Sequence, residues 1–258
     1  MKKYENITIG GEVVRKHRRD IRKDEIIFSH IPDKKCAVFE SSAGAAILSR
    51  QLRDQGHDVT ISNYYLQNFK DIKEIHADLN QPLELPDSSF DVVICREVIE
   101  HVESVPHVLR EFNRILKPGG TLVLTFPNRL QIRSRFLHLF SGFYRGMKSP
   151  INLDVPFGEA HINLIGYPEM DYFLRKTGYE VKTVESSYFQ KSDRLFSLIR
   201  PLIRFTTRHY LLKYKKNAQE HEKTKPENIA YNTFIAETLL SDALFFGKDV
   251  IVTAHKQN

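Results

Sequence analysis

Short apolar runs and amphipathic stretches alternate along most of the chain. Runs that predict buried strands cover residues 35–40, 57–62, 73–78, 89–95, 121–127, 179–186 and 248–256. Residues 45–56, 104–116 and 167–177 carry apolar side chains at helical spacing, which predicts helices between those strands. This alternation is typical of a mostly parallel sheet with helices on both faces.

Two long segments interrupt the alternation. Residues 128–166 form an irregular insertion, and the amphipathic residues 188–246 separate the last two predicted strands. A connection this long inside a compact domain indicates an added subdomain. We therefore predict a helical cap at 188–246, a core formed by 31–187 and 247–258, and a basic helical segment at 1–30. The "KPGG" sequence at 117–120 predicts a turn before a strand.

Charge is distributed unevenly. The 258 residues give a formal net charge of +6, and basic residues concentrate at 13–23 and at 190–225. Such patches favour anionic partners, but they also occur on solvated helix faces, and both interpretations stay open. Neither block carries a nucleic-acid motif, so a nucleic-acid partner is the less favoured one.

The two cysteines and the lack of long apolar stretches indicate the cellular compartment of the protein. Cys36 and Cys95 both lie in strand-like apolar runs, which predicts buried reduced thiols. No apolar run is long enough for a transmembrane helix, and no secretory signal follows the initial methionine. We expect a cytoplasmic protein.

Residues 85–128, "LPDSSFDVVICREVIEHVESVPHVLREFNRILKPGGTLVLTFPN", resemble the class I S-adenosylmethionine-dependent methyltransferases of the type 11-like group. The segment is similar to the part of that family that contains the fourth strand, the following helix and the turn into the fifth strand. Residues 161–181 resemble a later family segment in which a histidine precedes a helix and a glycine turn. The resemblance implies a Rossmann-like seven-stranded sheet with an antiparallel last strand. It also implies S-adenosyl-L-methionine as the cofactor.

The stretch "VFESSAGAA" at 38–46 follows the first predicted strand. Members of that family carry an acid and then three alternate glycines here. Glu40 matches the acid and Gly44 the middle glycine, whereas Ser42 and Ala46 stand at the other two positions. If both must adopt left-handed backbone angles, strain of ~1–2 kcal/mol per residue results. We expect a loop that still binds the cofactor, with reduced affinity.

Further cofactor contacts follow from the resemblance. Asn63, or Ser62 with a shift of one residue, stands where the family usually has an acid that binds the ribose hydroxyls. Asp78 matches the acid that receives the adenine amino group, and Leu79 supplies the adjacent backbone amide. Arg96, at the end of the fourth strand beside the expected methyl position, joins this set. It could orient an anionic acceptor or form a surface salt bridge.

Glu97, Glu100 and His101 in "CREVIEHV" would share one face if that stretch were helical. The set resembles the metal ligands of small-RNA 2′-O-methyltransferases and ubiquinone-pathway O-methyltransferases, with His161 as a possible fourth ligand. Similar motifs occur in family members without a metal, so the metal stays open. His101 and His161 are the candidate catalytic bases for an oxygen acceptor, because histidine titrates near neutral pH. A purely structural role for His101, such as holding the following loop, stays open as well.

These features together predict an S-adenosylmethionine-dependent methyltransferase. We expect O-methylation of a small or lipid-linked anionic metabolite. The cap, whose aromatic residues are interspersed with basic ones, suits peripheral membrane contact and equally suits a lid helix that packs against its own domain. One alternative is a catalytically weak or inactive methyltransferase-like binding protein whose cofactor loop has decayed. A less favoured alternative is an RNA methyltransferase. The sequence does not predict the acceptor or the oligomeric state.

Overall fold

The computed structural model describes residues 3–9, 12–146, 152–217 and 226–257. The strands are β1 (Tyr4–Ile9), β2 (Glu12–His17), β3 (Ala37–Ser41), β4 (Asp58–Asn63), β5 (Lys73–His76), β6 (Phe90–Arg96), β7 (Leu116–Pro127), β8 (Tyr179–Glu185) and β9 (Asp249–Lys256). The α-helices are α1 (Arg18–Ser29), α2 (Ile47–Asp54), α3 (Val105–Ile115), α4 (Ile132–Ser141), α5 (Tyr167–Lys176), α6 (Arg200–Asn217), α7 (Pro226–Thr238) and α8 (Asp242–Phe246). Short 3₁₀ helices cover Phe157–Glu159 and Lys191–Ile199.

Seven strands form one sheet in the order β5-β4-β3-β6-β7-β9-β8. The first five of these pair in parallel, and β9 runs antiparallel to both of its neighbours. This arrangement confirms the predicted Rossmann-like fold with an antiparallel last strand. The chain leaves β3 toward β4 on one side and returns to β6 on the other. Open α/β sheets bind ligands at such a switch point, beyond the carboxyl ends of the strands.

Helices cover both faces of the sheet, which explains why its central strands read as continuous apolar runs. On one face α3 and α5 pack through buried Leu109, Phe112 and Leu174. On the other face α1 and α2 pack through Ile27 and Leu48. Because both layers bury apolar side chains, the sheet and its helices form one rigid support for the carboxyl-end edge.

The predicted strands and helices agree with the observed ones to within a few residues, except around the "KPGG" sequence. There β7 begins at Leu116 and continues through the expected turn, with a register shift opposite Phe90 and Val92. Gly119 has φ 71°, and a Cβ on Gly120 would lie 2.9 Å from the carbonyl oxygen of Lys117. The glycines therefore produce an irregular strand start rather than a separate turn.

The N-terminal segment is helical only from Arg18 onward, which corrects the expectation of a helical segment at 1–30. Strands β1 and β2 form an antiparallel hairpin instead. Its first strand alternates exposed and more buried positions, with Ile7 and Ile9 on the inner side. That period of two, together with β-branched Val13 and Val14, fits a strand better than a helix.

Both predicted insertions contain helices. The segment 128–166 contains α4, and its residues 147–151 lie outside the described part of the chain. The segment 188–246 contains the second 3₁₀ helix, α6, α7 and α8, in keeping with a helical cap, whereas 218–225 of the second basic block lie outside the described residues. In the described parts of the chain, no helix has both the length and the apolar character needed to cross a membrane.

Candidate functional site

A cavity of about 500 Å³ lies between the N-terminal hairpin and the loop that follows β3. Glu40 and Arg96 contribute to its wall from the ends of β3 and β6, and Ala43 and Ala45 contribute from the loop. Basic residues of the hairpin and of α1 close the opposite side: Arg15, Lys16, His17 and Arg19. The cavity therefore lies at the switch point of the sheet.

The loop after β3 has left-handed backbone angles at the three positions where glycines were expected. Ser42, Gly44 and Ala46 have φ values of 50°, 55° and 54°. A Cβ placed on Gly44 would meet no atom within 4 Å, so the loop backbone faces open space there. Ser42 and Ala46 are not glycine, so their left-handed angles carry a strain that glycine would avoid.

Asn63 at the end of β4 ties the loop to the neighbouring strand. Its Oδ1 accepts a hydrogen bond from Gly44 N at 2.8 Å, and its Nδ2 donates to Glu74 Oε1 at 2.7 Å. Nδ2 also donates to Gly44 O at 3.2 Å. The side chain is buried, so an amide that can both donate and accept suits this position better than an acid would. A contact with a ribose stays a prediction.

Glu40 is a buried acid on the wall of this cavity. Burial raises its pKa to about 7, against the hydrogen bond from Ser49 Oγ and the charge of Arg96, which lower it. The carboxyl group therefore changes its charge near neutral pH, in a position where a ligand ammonium group would favour the ionised form.

Asp78 and Leu79 lie after β5 and do not line this cavity. Asp78 Oδ1 accepts a hydrogen bond from Asn80 N at 2.9 Å, which forms an Asx turn, and Leu79 is buried. Their roles toward an adenine stay predictions.

Helix α1 is joined to the carboxyl ends of the strands by ion pairs. The sequence analysis named a salt bridge as one role for Arg96, but it did not identify the partners in α1. Arg96 lies 3.1 Å from Asp24 and 3.8 Å from Asp20. Lys23 lies 2.8 Å from Glu97 and 3.3 Å from Asp249. Burial lowers the pKa of Lys23, but the two carboxylates outweigh it and the pKa is raised. The basic character of 13–23 was visible in the sequence, but its acidic partners are distant along the chain.

The stretch after β6 is a turn and not a helix, which corrects the expected arrangement of Glu97, Glu100 and His101 on one helical face. Glu97 has φ 52°, and its Oε1 accepts a hydrogen bond from Thr125 Oγ1 at 2.8 Å in addition to the Lys23 contact. Glu97 is therefore bound by Lys23 and Thr125 and is not part of the cluster that Glu100 and His101 form with His161.

Glu100, His101 and His161 do lie together, with their ligand atoms within 4.8 Å of one another. The rings of the two histidines meet edge to face at 4.8 Å. Asn163 fixes the surrounding loops, because its N–H donates to Glu100 O at 2.9 Å and its Nδ2 donates to Val102 O. The set could hold a divalent cation through one carboxylate and two imidazoles.

The hydrogen-bond network indicates which imidazole nitrogen of His101 is basic. His101 Nδ1 lies 3.1 Å from Ala160 O, and a bond to a carbonyl requires the proton to be on Nδ1. Nε2 then carries the lone pair in the neutral ring. Burial, and next the charge of Glu97, raise the pKa of Glu100 to about 8, so Glu100 is mainly protonated at neutral pH.

Comparison with known proteins places this geometry in context. The family model described as "Methyltransferase domain" matches residues 39–124. A probable S-adenosylmethionine-dependent methyltransferase of Mycolicibacterium smegmatis is 26% identical over 171 residues, which cover 62% of this chain and 59% of that protein. A ubiquinone biosynthesis O-methyltransferase of Rickettsia typhi is 31% identical over 150 residues, which cover 50% of this chain and 60% of that protein.

A solved structure of a SAM-dependent methyltransferase from Archaeoglobus fulgidus has the same fold. It superposes with a TM-score of 0.57 at 15% identity, and the match covers 93% of this chain and 95% of that one. The matched part of this chain spans between 50% and 59% of the length of the curated methyltransferases from Mycolicibacterium smegmatis and Mycobacterium tuberculosis.

Proposed function

Since this chain belongs to the class I S-adenosylmethionine-dependent methyltransferases, we propose that it transfers the methyl group of S-adenosyl-L-methionine to an oxygen atom of a small or lipid-linked anionic acceptor. The observation that carries the proposal is the loop after β3, in which Ser42, Gly44 and Ala46 all keep left-handed backbone angles. This geometry supports a working cofactor loop over a decayed one, and therefore an enzyme over a binding protein of the same fold.

The residues of the 500 Å³ cavity fit the amino-acid end of the cofactor. Glu40 presents a buried carboxyl group that would pair with an ammonium group, and the basic side chains of the hairpin would face a carboxylate. The volume lies within the usual range for small-molecule sites. Asn63, Asp78 and Leu79 extend the proposed contacts toward the nucleoside.

His101 is the proposed proton acceptor, and His161 supports it from the adjoining loop. When bound, the cofactor supplies a methyl group on a sulfonium sulfur, which departs as a neutral thioether in an in-line displacement. The acceptor hydroxyl passes its proton to His101 Nε2, the nitrogen left free of a proton by the Nδ1–H bond to Ala160 O. The protein's other task is to align the two reactants and exclude water.

The first basic block supports a small-molecule acceptor over RNA. Most of its cations already have acidic partners within the protein. These pairs are Lys16–Asp24, Arg18–Glu5, Arg22–Glu25, and Lys23 with Glu97 and Asp249. Paired cations release few counterions on binding, so they add little affinity for nucleic acid.

Calorimetric titration with S-adenosylhomocysteine, the expected product form of the cofactor, tests the proposal. We expect saturable one-to-one binding that Glu40→Ala weakens at least about tenfold, because a charge-assisted hydrogen bond is lost. Glu84→Ala, an exposed position away from the cavity, is the matched control. Absence of binding heat at millimolar ligand would leave only the binding-protein interpretation.

The cap offers a second surface, which we assign to an anionic membrane on the cytoplasmic side, where the buried thiols of Cys36 and Cys95 stay reduced. One stripe of the cap helices packs on the body, and the opposite stripe is exposed and apolar. Five large apolar side chains form that exposed stripe: Leu195, Leu198, Leu202, Phe205 and Leu212, with exposed fractions of 75, 84, 62, 69 and 67%.

The charges beside this stripe favour binding to a membrane over binding to a second copy of this chain. Exposed Lys191, Arg194 and Lys213 flank it, and the acid of the same segment, Asp193, is buried against Arg133. A face that is apolar and cationic attracts anionic headgroups, whereas two copies of it would repel each other.

Co-sedimentation with phosphatidylcholine vesicles, with and without phosphatidylglycerol, tests this assignment. We expect binding only to the anionic vesicles, and a loss of at least about tenfold in Leu198→Ser/Phe205→Ser, because two buried side chains are removed from the interface. Val13→Ser, which is exposed on the hairpin, is the control. Equal binding of the stripe variant, or stripe-dependent dimers in sedimentation equilibrium, would contradict it.

A further inference from the structure

Two cations that form none of the observed ion pairs flank Tyr188, at the start of the segment that leads into the cap. The Arg19 guanidinium lies 5.4 Å from the centre of the Tyr188 ring, and the Lys248 ammonium lies 4.6 Å from it. The charge of Arg145 also acts on Lys248. In the described parts of the chain, Arg19, Arg145 and Lys248 take part in none of the ion pairs.

The acids near this cluster are engaged elsewhere. Asp249 accepts hydrogen bonds from Ser186 Oγ at 2.7 Å and from Ser187 N at 2.9 Å, and it also faces Lys23. Glu97 is bound by Lys23 and Thr125.

The remaining two acids also have cationic partners of their own. Asp193 is bound by Arg133 and Gln131, and Asp20 lies 3.8 Å from Arg96. Burial, and next the charges of Arg145 and Arg19, lower the pKa of Lys248, against the charge of Asp193, which raises it.

The backbone holds this cluster at the active edge of the sheet. Lys248 N donates to Tyr188 O at 3.2 Å, and Lys248 O accepts a hydrogen bond from Asn128 N at 3.0 Å, next to the end of β7. A cavity of about 220 Å³ opens here, and Arg19, Tyr188 and Lys248 line it. The acids Asp20, Glu97 and Asp249 also line it, together with Lys23. Arg19 and Asp20 also line the 500 Å³ cavity, so the two cavities adjoin.

We propose that Arg19 and Lys248, which flank the Tyr188 ring, bind a phosphate group of the methyl acceptor. That the phosphate belongs to a methyl acceptor rests on the proposed function. The phosphate site itself is inferred from the positions of Arg19 and Lys248. A phosphate dianion would accept hydrogen bonds from a guanidinium and an ammonium at once and would offset the mutual repulsion of the two cations. The Tyr188 ring, which both cations flank, would pack against the organic part of the acceptor.

Inorganic phosphate, titrated at low ionic strength and followed by NMR shifts of the lysine side chains, is the probe that tests the site. We expect saturable binding to the wild-type protein, equal binding in the presence of saturating S-adenosylhomocysteine, and a loss of about tenfold in Lys248→Met. Lys70→Met, which removes an exposed cation outside both cavities, is the matched control and should bind phosphate as the wild type does.

Each other outcome has a definite meaning. Competition between phosphate and S-adenosylhomocysteine would overturn the proposal and assign the cations to the cofactor carboxylate. Absence of saturable phosphate binding, or an equal loss in both lysine variants, would also overturn it. Because S-adenosylhomocysteine binding is measured separately, failure of the methyltransferase proposal is distinguished from failure of this one.

Glycerol 3-phosphate and a water-soluble short-chain phosphatidic acid then distinguish the source of the phosphate. Tighter binding of glycerol 3-phosphate than of inorganic phosphate, with no further gain from acyl chains, supports a soluble phosphate ester. A further gain from acyl chains supports a lipid phosphate. Weaker binding of both esters than of inorganic phosphate would contradict an acceptor site, because the organic part would then find no contact.

Discussion

Ser42 shows how a residue other than glycine can serve in a loop that favours glycine. Its φ of 50° lies in the left-handed region, and we expect that strain to lower the stability of the folded protein more than the affinity of the loop. We expect Ser42→Gly to stabilise the protein by roughly 0.5–1 kcal/mol, which is about 2 °C in melting temperature. Scanning calorimetry measures the stability, and titration with S-adenosylhomocysteine should give an affinity within twofold of the wild type.

Ser88 provides the control for that substitution, because it has φ 48° at an exposed position outside the cavity. Ser88→Gly should stabilise the protein by a similar amount. A clear affinity gain in Ser42→Gly alone would mean that the strain arises on binding, as the sequence alone had indicated.

Glu40 should make the stability of the protein depend on pH. Its pKa is about 7 in the folded protein and 4.5 in a free side chain. Between these values the unfolded chain releases the proton and the folded protein keeps it, so the free energy of unfolding falls as pH rises, by roughly 3 kcal/mol in total. We expect Glu40→Gln to exceed the wild type in urea denaturation at pH 8 and to approach it at pH 5.

Glu84→Gln, at an exposed position, serves as the control for the Glu40 experiment. It should change the urea denaturation curve neither at pH 5 nor at pH 8. A Glu40→Gln difference that is the same at pH 5 and pH 8 would show that packing, and not ionisation, separates the two proteins.

If Glu100, His101 and His161 hold a cation, it would take His101 Nε2 in place of a proton, and Glu100 should make its binding depend on pH. A carboxyl group must lose its proton to bind a metal, and burial raises the pKa of Glu100 to about 8. We expect the affinity for Mn²⁺, measured by calorimetry, to rise about tenfold per pH unit below pH 8 once the histidines are neutral. Glu100→Gln should bind more weakly and with a flatter pH profile. An affinity for Mn²⁺ that is as high at pH 6 as at pH 8 would contradict this expectation.

At the residue scale the sequence predicted which side chains lie near the switch point, but not their contacts. Glu40 and Arg96 do line one cavity, because strand ends are easy to locate from apolar runs. Glu97 was misplaced, since its left-handed φ is not a property of its residue type. Lys23 was missed as a partner of Asp249, because the two residues are far apart in the chain.

Among the elements, the N-terminal hairpin and α1 were the hardest to foresee and lie closest to the proposed cofactor. The core strands were predictable because burial on both faces gives continuous apolar runs. The hairpin strands are only partly buried and strongly basic, so their period of two is masked by charge. The position of helix α1 against the strand ends was also difficult to predict. Ion pairs hold part of its buried face, where an amphipathic helix would carry apolar side chains.

Because the hairpin forms one wall of the 500 Å³ cavity, a ligand there should hold it closed. Arg15 and Lys16 are cleavage points for trypsin in this wall. We expect S-adenosylhomocysteine at ten times its dissociation constant to slow cleavage there about tenfold, as linkage predicts for cleavage from an open form. Mass spectrometry of timed digests identifies the sites.

Cleavage in the cap is the internal control for that digest. Arg208 and Lys213 of α6 are exposed and distant from the cavity wall, so the ligand should leave their cleavage unchanged. Equal protection of the hairpin and the cap would indicate global stabilisation. No protection of the hairpin, despite measured binding, would place the ligand elsewhere.

For the whole molecule, the structure indicates two levels of stability. The central strands are paired on both sides and buried under two helical layers, whereas the cap rests on a small cluster of Ile132, Leu240, Phe245 and Phe246. Buried Asp193 adds an ionic contact, because Gln131 and Arg133 bind it from the start of α4. Local openings draw on such sparsely packed regions first. The cap should therefore open without the sheet.

Hydrogen exchange followed by mass spectrometry tests this separation through Asp193→Asn. Removing the charge weakens the bond to Arg133 and leaves that cation partly unpaired, which costs about 1–3 kcal/mol. We expect exchange in α6 and α7 to accelerate at least about tenfold while β3 and β6 keep their wild-type rates. Asp242→Asn, which alters an exposed pair with Arg200, should have little effect. Equal acceleration in β3 and β6 would show instead that cap and sheet unfold as one cooperative unit, because the lost contact would then lower the stability of the whole molecule.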